Sequence, residues 1–417
     1  MNIGMLSQWF DPETGPAALP GIYGREFVNQ GHQVRVLTGF PNYPEGNLYP
    51  GYQLRPRTVE GDSSLRVTRV ALYPDHSSSP IGRIANYASF GLSATILGAG
   101  SLRNLDALWV YNSPVTVAAP MLAHSRFGGV PTFLHVQDLW PDSLVESGMF
   151  PRGRVGTVAE SAVSAIVRLM ERRSAVIGVI SESVRQIILE RNPAIAPEKI
   201  VYVPNPTNEQ LFRPADEIRS ERGHDSTEKV GAVEIMYAGA VGEVQGLDTL
   251  LEAAVALRSR ENIHFTIVGD GISKKRLEEK ARALGLSSVT FVGRVPQDHV
   301  PLLIARADIQ LVSLASNPFL AHTTPSKIPS LLASGVPIVA QLEGDGARML
   351  RQSGAALVAQ PGDSVALASA IELMVDAGPE RWQSMGRAGR RFYLDRLSAA
   401  AAAEKIVHAL QTAGAGS

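Results

Sequence analysis

The segment Thr324-Pro325-Ser326-Lys327 combines two hydroxyl side chains with a lysine at the start of a predicted helix. Thr324 or Ser326 can cap this helix, and Lys327 in its first turn then places an ammonium group beside free backbone N–H groups. Such a cradle can hold a phosphate without a metal ion. Because no Asp-x-Asp pair occurs in the chain to hold a divalent cation against a diphosphate, the sequence predicts that no metal is required.

Glycines follow three consecutive predicted strands in the same half of the chain, at residues 239–246, 269–271 and 293–295. A glycine-rich turn between a strand and a helix directs backbone N–H groups and the positive helix end at an anion such as a diphosphate. Glycine also lets a nucleoside lie close to the backbone. Ordinary strand-to-helix turns have the same composition, so both explanations remain open.

The elements that must position these residues are short β-rich runs that alternate with segments of helical period, a pattern typical of α/β proteins with parallel sheets. The predicted strands are residues 2–7, 33–38, 65–70, 107–111, 132–136, 175–180, 200–203, 233–237, 263–268, 289–292, 309–313, 336–340 and 355–358. A Pro-, Gly- and Ser-containing stretch near the middle is typical of a linker. We therefore predict a domain over residues 1–205, a linker over 206–232, a second domain over 233–390 and a terminal helix over 391–417.

Composition narrows the possible functions. The chain has 417 residues with 39 Lys and Arg against 40 Asp and Glu, a formal net charge of -1, so no overall positive field attracts nucleic acid. The absence of cysteine excludes a disulfide framework and thiol catalysis and agrees with a reducing compartment. Because the N-terminus has neither a basic region nor a long apolar stretch, we expect a cytoplasmic protein.

The segment over residues 81–100 is loosely amphipathic, with Arg83 and Tyr87 beside Leu92 and Ile96. Its least polar run is shorter than the roughly 18 residues of a membrane-spanning helix. Such a helix can rest on a lipid surface as a peripheral membrane contact, or it can be an ordinary core helix. The sequence leaves both alternatives open.

Several motifs run along nearly the whole chain. They are Phe10-Asp11-Pro12-Glu13-Thr14-Gly15, the stretch from Gly31-His32 to Glu45-Gly46, Gln137-Asp138-Leu139-Trp140-Pro141-Asp142-Ser143, Val203-Pro204-Asn205, Val268-Gly269-Asp270-Gly271 and Pro325-Ser326-Lys327. Together they resemble the retaining, family-4-type glycosyltransferases of GT-B fold. The resemblance is strongest to the N-acetylfucosaminyltransferase-like subgroup that builds bacterial surface polysaccharides.

This resemblance implies two Rossmann-like doubly wound domains that face a cleft. The C-terminal domain would hold a nucleotide sugar, and the N-terminal domain would hold a glycan, a lipid-linked sugar or a small glycosidic acceptor. Transfer would retain the anomeric configuration without a metal ion or other cofactor, and the donor would be UDP-linked by the habit of the family. The terminal helix of such proteins crosses back to the N-terminal domain.

Together with the motifs above, the resemblance implies three sets of site residues. The donor-binding set is Gly15, Gly242, Gly269, Asp270, Arg294, Val295, His322, Thr324, Ser326, Lys327 and Ser330. The acceptor-binding set is Glu13, Asn112, Gln137 and Trp140, and the catalytic set is His135, Asp138 and Lys327. Lys327 would stabilise the leaving diphosphate. Asp138 would orient the acceptor or cap a turn, while His135 would replace the family's catalytic histidine or be a buried structural residue.

Four positions depart from the family's pattern. Ala240 and Gln245 stand where an Arg and a Lys are common, and His322 and Ser330 replace a pair of Glu residues. These departures keep a second function open, that of a catalytically degenerate binding or scaffold protein. A nucleotide-sugar 2-epimerase is a less favoured alternative, because it needs paired carboxylates and a histidine that the sequence does not show in register.

Overall fold

The computed structural model describes residues 1–76, 80–127, 129–141, 153–221, 231–317 and 324–415. The chain forms two compact units, each with its own sheet. Unit 1 consists of Met1–Asn205 and Ala399–Ser417, and unit 2 consists of Pro206–Ser398.

Unit 1 is built on an eight-stranded sheet with the order β3-β4-β2-β1-β5-β6-β7-β8. Its strands are β1 (Asn2–Leu6), β2 (Gln33–Gly39), β3 (Arg57–Gly61), β4 (Leu65–Val70), β5 (Ala107–Tyr111), β6 (Thr132–Val136), β7 (Val176–Val179) and β8 (Ile200–Tyr202). All neighbours pair in parallel except β3, which lies antiparallel to β4 at the edge. Every residue of β5 is buried, as expected for a strand covered on both faces.

Helices cover both faces of this sheet. In chain order they begin with α1 (Leu19–Asn29), α2 (Pro80–Leu97), α3 (Ala118–Phe127), α4 (Arg154–Arg173) and α5 (Glu182–Arg191). Helices α2 to α5 contribute to the core on one face of the sheet. Helix α1 and the C-terminal residues Ala399–Ala415 contribute to the core on the other face.

Unit 2 has a six-stranded parallel sheet with the order β11-β10-β9-β12-β13-β14. Its strands are β9 (Val233–Ala238), β10 (Ile263–Val268), β11 (Val289–Gly293), β12 (Ile309–Ser313), β13 (Ile338–Gln341) and β14 (Ala356–Ala359). Its helices are α6 (Ala215–Glu221), α7 (Asp248–Ala256), α8 (Lys274–Ala283), α9 (Val300–Arg306), α10 (Lys327–Ser334), α11 (Gly344–Ser353) and α12 (Ser364–Arg396). Because the chain reverses direction across the sheet between β9 and β12, this is the topological switch point of a doubly wound fold.

Two boundaries differ from those expected. The stretch over 206–232 is not linker throughout, because α6 lies within it and buries Ala215 and Ile218 in the core of unit 2. Residue 391 falls inside α12, which kinks at Gly378 and Pro379 and ends at Arg396. The separate last helix is α13 (Ala399–Ala415), whose Ile406 and Leu410 are buried in the core of unit 1.

None of the helices in the described part of the chain is both long enough and apolar enough to span a membrane.

Candidate active site

Lys327 lies at the switch point of unit 2. It is the first residue of α10, and its ammonium group extends back to β9, since a Cβ added to Gly239 would lie 2.7 Å from Nζ. Nζ also lies 4.0 Å from the centre of the Tyr237 ring. Ligands of open parallel sheets bind at this point, outside the carboxyl ends of the strands. The fold thus brings the predicted lysine to the expected ligand position.

The charge of Lys327 has no anionic partner within the described residues. Burial lowers the pKa of Lys327 to about 7, because desolvation penalises the ammonium form. The negative face of the Tyr237 ring offsets part of that cost. An unpaired cation is unfavourable in a partly desolvated position, so an anion bound beside Nζ would stabilise it.

The loop after β9 is closed by its own hydrogen bonds. Gly239 N donates to Val268 O (2.9 Å), and Val241 N donates to Asp270 O (2.9 Å). Gly242 N donates to the side-chain Oε1 of Gln245 (3.0 Å). The N–H of Gly242, predicted to bind an anion, is therefore already paired, and Gln245 supplies loop closure where the family has a cation.

Two residues that the sequence analysis did not select support this loop. Gln341, at the end of β13, donates from Nε2 to Gly246 O (2.9 Å) and to Ser313 Oγ (2.8 Å). Ser313, at the end of β12, donates to Gln245 O. Both side chains are fully buried. In the sequence, Gln341 and Ser313 could have been recognised as polar residues that each end an otherwise apolar strand.

Glycine is required at positions 269 and 271 because the loop after β10 packs closely against the loop after β9. Gly269 has a φ of +141°, and a Cβ there would lie 1.8 Å from Gly239 O. A Cβ on Gly271 would lie 2.4 Å from Val241 O. The close approach of two loops explains these glycines without a ligand. Asp270 between them is exposed, and its Oδ1 accepts from Gly271 N (2.8 Å).

Arg294 and Val295 follow the edge strand β11. At about 4.8 Å per strand, their backbone lies roughly 10 Å from the loop after β9. Arg294 is exposed, whereas Val295 packs on the core of unit 2. The backbone of these two residues is therefore separate from the cradle formed by Lys327 and Gly239, and donor binding by Arg294 stays a prediction.

The hydroxyls near the start of α10 do not cap it. Ser326 occupies the N-cap position with helical backbone angles and makes no side-chain cap bond, because a capping side chain needs an extended backbone. Thr324 Oγ1 is buried without a hydrogen-bond partner in the described part of the chain. It is the hydroxyl next to the cradle that remains available to a ligand. His322 lies outside the described residues.

Ser330 is bound within the protein instead of being open to a donor. Its Oγ lies 2.7 Å from Thr207 Oγ1. Thr207 N in turn donates to the hydroxyl of Tyr393 (3.2 Å), which donates to Glu209 Oε1 (2.8 Å). This buried network ties α10 to the first residues of unit 2 and to the end of α12.

In unit 1, Glu13 is buried and accepts three backbone hydrogen bonds. Its Oε1 accepts from Asn42 N (2.9 Å) and Tyr43 N (3.0 Å), and its Oε2 accepts from Phe10 N (3.1 Å). Burial raises the pKa of Glu13 to about 7, although the N–H groups favour the charged form. The structure gives Glu13 the role of joining two loops, and acceptor binding by Glu13 stays a prediction. Gly15, nearby, has a φ of +64° with open space at its Cβ position.

Asn112 joins the ends of β5 and β6. Its Oδ1 accepts from Gln137 N (2.7 Å), and its main-chain oxygen accepts from Trp140 Nε1 (3.1 Å). Gln137 exchanges side-chain hydrogen bonds of 3.0 and 2.6 Å with Asn205. Trp140 is buried. The polar groups predicted to bind an acceptor are thus used to build unit 1, and the Trp140 ring is not free to stack on a sugar.

His135 is a core residue. It is fully buried among the rings of Tyr23, Trp109 and Phe133. The only hydrogen bond of its ring within the described residues joins Nε2 to Val203 O (3.4 Å). Burial lowers its pKa to about 4. These contacts favour the alternative of a buried structural histidine, and the catalytic role of His135 stays a prediction.

Asp138 remains the half-buried acid of this region. Burial raises the pKa of its carboxyl, while a hydrogen bond from the Ser113 hydroxyl opposes the shift. The charge of Asp138 also helps to raise the pKa of Tyr87 and of Tyr111. The three groups are therefore close in space, and Asp138 is available to accept a proton or a hydrogen bond from a bound hydroxyl.

His76 extends the cluster and was not selected from the sequence. Its ring lies 5.1 Å from that of Tyr43 and 6.0 Å from that of Tyr87. Within the described residues, His76 Nε2 and Arg83 Nε are buried without a hydrogen-bond partner. The sequence feature that could have indicated this cluster is the pair Arg83 and Tyr87, which are one helical turn apart. Polar groups that can contact a hydroxyl-rich ligand thus gather around Asp138.

No group of three or more His, Asp or Glu side chains in the described ranges could hold a metal ion.

Two glycosyltransferase family models match the chain. The model for the glycosyl transferase 4-like domain matches residues 17–206, and the model for glycosyl transferases group 1 matches residues 232–377. The putative colanic acid biosynthesis glycosyl transferase WcaI of Escherichia coli strain K12 is 30% identical over 334 residues, which cover 78% of this chain and 79% of the relative.

Solved structures show the same architecture. Sucrose-phosphate synthase from Thermosynechococcus elongatus matches with a TM-score of 0.64 at 16% identity over 100% of both chains. Anabaena HepE in complex with UDP matches with a TM-score of 0.63 at 14% identity over 99% of this chain and 100% of that one. The class of protein defined by two such Rossmann-like units is the GT-B fold. Within that class, the chain belongs to the family-4-type glycosyltransferases and is a glycosyltransferase enzyme.

Proposed function

We propose that this enzyme moves a sugar from a UDP-linked donor to a glycan or lipid-linked acceptor, with retention of configuration and without a metal ion. The observation that carries the proposal is Lys327, a half-buried side chain whose ammonium group has no anionic partner in the described structure, at the switch point of unit 2. The chemistry that this position favours is binding of the donor diphosphate. As the bond from the anomeric carbon to the diphosphate breaks, Lys327 would stabilise the charge on the leaving oxygen.

The acceptor side of the proposal rests on Asp138 and its neighbours. A half-buried carboxylate beside Ser113 and Tyr87, with His76 against the Tyr87 ring, can orient a sugar hydroxyl. The hydroxyl oxygen would form the new bond to the anomeric carbon, and its proton would pass to the leaving diphosphate. UDP as the nucleotide is supported by relatives in fold whose structures hold UDP or UDP-2-fluoro glucose.

The pathway is proposed from the resemblance and the relative. The relative named above is assigned to colanic acid biosynthesis, and the motifs resemble N-acetylfucosaminyltransferase-like enzymes. We therefore propose a surface-polysaccharide pathway with an N-acetylated hexosamine or deoxyhexosamine as the transferred sugar.

The test is thermal unfolding with UDP, GDP, dTDP and CDP, each in magnesium and in EDTA. A ligand at about 100 times its dissociation constant stabilises by roughly 2.7 kcal/mol, so we expect a clear shift with UDP that EDTA does not change. Transfer from the matching nucleotide sugar, followed by the anomeric coupling constant of the product, then tests retention. A shift that requires magnesium would contradict metal independence.

A scaffold function is the second candidate, because Gln245 closes the loop in which a family cation is common. Nucleotide binding without transfer to any acceptor of a broad panel would favour it. Turnover that is lost in Lys327→Met would exclude it.

A further inference from the structure

Helix α2 presents an outward face without a polar side chain. Its exposed positions recur every three or four residues, which is the spacing of a single helix face. They are Ile81, Ile84, Ala88, Leu92 and Ile96, and Leu97 at the end of the helix is also exposed. Ile81 is 79% exposed, Leu92 is 64% exposed and Ile96 is 66% exposed. A solvated helix face normally carries charges, so this stripe needs an apolar partner.

The core-helix explanation of this segment accounts only for the opposite side of α2. Phe90 and Ala94 are fully buried in the core of unit 1, and Asn86 is also buried. The buried side of α2 therefore packs on the core without any residue of the stripe. Packing within the described residues does not explain the four large aliphatic side chains of the stripe.

The surface around the stripe is basic. Helix α2 packs on α3, and α3 packs on α4. The exposed arginines in this layer and at its edges are Arg103, Arg126, Arg154, Arg168, Arg172 and Arg173. None of them forms an ion pair with a described residue. Helices α2 and α3 contain no Asp or Glu, and α4 contains only Glu160 and the buried Glu171, which pairs with Arg191.

Helix α4 continues the same mixture. Val158 and Ile166 are exposed large apolar residues on it, and Ile166 lies in the same half of α4 as Arg168, Arg172 and Arg173. The whole chain has a formal net charge of -1, so this concentration of unpaired positive charge is local to one side of unit 1. Apolar side chains beside unpaired arginines match a lipid surface, where the aliphatic groups enter the acyl boundary and the guanidinium groups meet anionic headgroups.

We propose that unit 1 docks on an anionic lipid bilayer through this surface, the α2–α4 face. The proposal stands independently of the transfer reaction. If the proposed transfer reaction is correct, membrane docking favours a lipid-linked acceptor over a soluble one. The reason is that α2 carries the apolar stripe on one side and, on another side, Arg83 and Tyr87, of which Tyr87 lies near Asp138. An acceptor with its lipid in the bilayer would then present its sugar to the enzyme.

The test is co-sedimentation of the full chain with vesicles of phosphatidylcholine alone or with phosphatidylglycerol added. We expect binding to the anionic vesicles that weakens as salt is raised. Leu92→Ser with Ile96→Ser should reduce the bound fraction on the order of tenfold. The matched control is Ile272→Ser with Val365→Ser, two residues of unit 2 that are 88% and 73% exposed. The control should bind like the original protein.

A charge variant, Arg168→Gln with Arg172→Gln and Arg173→Gln, should lose the preference for phosphatidylglycerol. Absence of vesicle binding, or equal loss in the stripe variant and its control, would overturn the proposal. Conversion of a dimer to a monomer by the stripe substitutions, without vesicle binding, would also overturn it by assigning the face to a second copy. The UDP-induced thermal shift is measured in the same variants and should not change, so failure of docking and failure of donor binding are distinguishable.

Discussion

Glu13 of unit 1 is buried and Lys327 of unit 2 is half-buried; both were predicted to bind ligands, and their surroundings differ. The carboxylate of Glu13 accepts three backbone hydrogen bonds. The ammonium group of Lys327 has an aromatic ring at 4.0 Å and no anion in the described part of the chain. A buried charge with saturated hydrogen bonding holds the fold together, whereas one without a partner is stabilised when a ligand arrives.

The comparison extends to the other predicted residues. Asn112 and Gln137 follow the ends of two strands and Ser330 lies within α10, and the side chains of all three are engaged within the protein. Asp138 and Thr324 can still form hydrogen bonds with a ligand, since Asp138 is half-buried and the hydroxyl of Thr324 lacks a described partner. Residue type alone does not distinguish residues that build the protein from residues that are available to a ligand. The hydrogen bonds that each side chain already makes do distinguish them.

The largest expected effect tests the unpaired charge. Lys327→Met should weaken binding of a nucleotide sugar by about 100-fold, since a charge-assisted contact to a phosphate is worth about 2–3 kcal/mol. Lys327→Arg should retain most of the affinity, and Lys275→Met, an exposed lysine on α8, should retain all of it. Isothermal calorimetry measures the three. Unchanged affinity in Lys327→Met would remove the donor site from this position.

Lys327→Met should weaken ligand binding but raise the stability of the ligand-free protein. Because burial lowers the pKa of Lys327 to about 7 from 10.5, the unfolded chain binds more protons between those values. The free energy of unfolding of the original protein therefore rises with pH through this window. In Lys327→Met this part of the rise should be absent, and the ligand-free protein should be more stable at pH 7.

A smaller effect tests the saturated charge. Glu13→Gln replaces one carboxylate oxygen by an amide group that faces a backbone N–H donor, so the free energy of unfolding should fall by about 2 kcal/mol. Nucleotide-sugar affinity should not change. Glu45→Gln, exposed on the loop that Glu13 supports, is the matched control for urea denaturation. Normal stability with lost transfer would assign Glu13 to the acceptor instead.

Most strands could be predicted from the sequence because parallel strands buried on both faces appear as short apolar runs. β5, with all of its residues buried, is such a run. β3 was missed because it is an edge strand, and its residues Arg57–Gly61 are mostly exposed and polar. The linker was too long because α6 has a charged exterior and only Ala215 and Ile218 reach the core.

The site was less predictable, since its contacts join residues far apart in the chain. A local pattern can place Lys327 at a helix start, but its contact with Tyr237 depends on how α10 packs beside β9. The pairing of Glu13 with Asn42 depends on the meeting of two loops 29 residues apart. His135 could not be recognised as core from its strand position, because the surrounding Tyr23 and Trp109 rings come from other elements.

The smallest expected effect concerns His135, a buried base with one weak hydrogen bond. Its pKa is lowered to about 4 from 6.5, so below pH 6.5 the unfolded chain takes up a proton that the folded chain does not. The original protein should therefore lose about 1–2 kcal/mol of unfolding free energy between pH 7 and pH 5 through this residue. His135→Leu should remove that part of the loss in urea titrations at the two pH values. Transfer at pH 7 should persist in the variant, because a histidine enclosed by rings cannot reach a substrate. A variant with intact stability and abolished transfer would show that the enclosure opens during the reaction and would return His135 to the catalytic set.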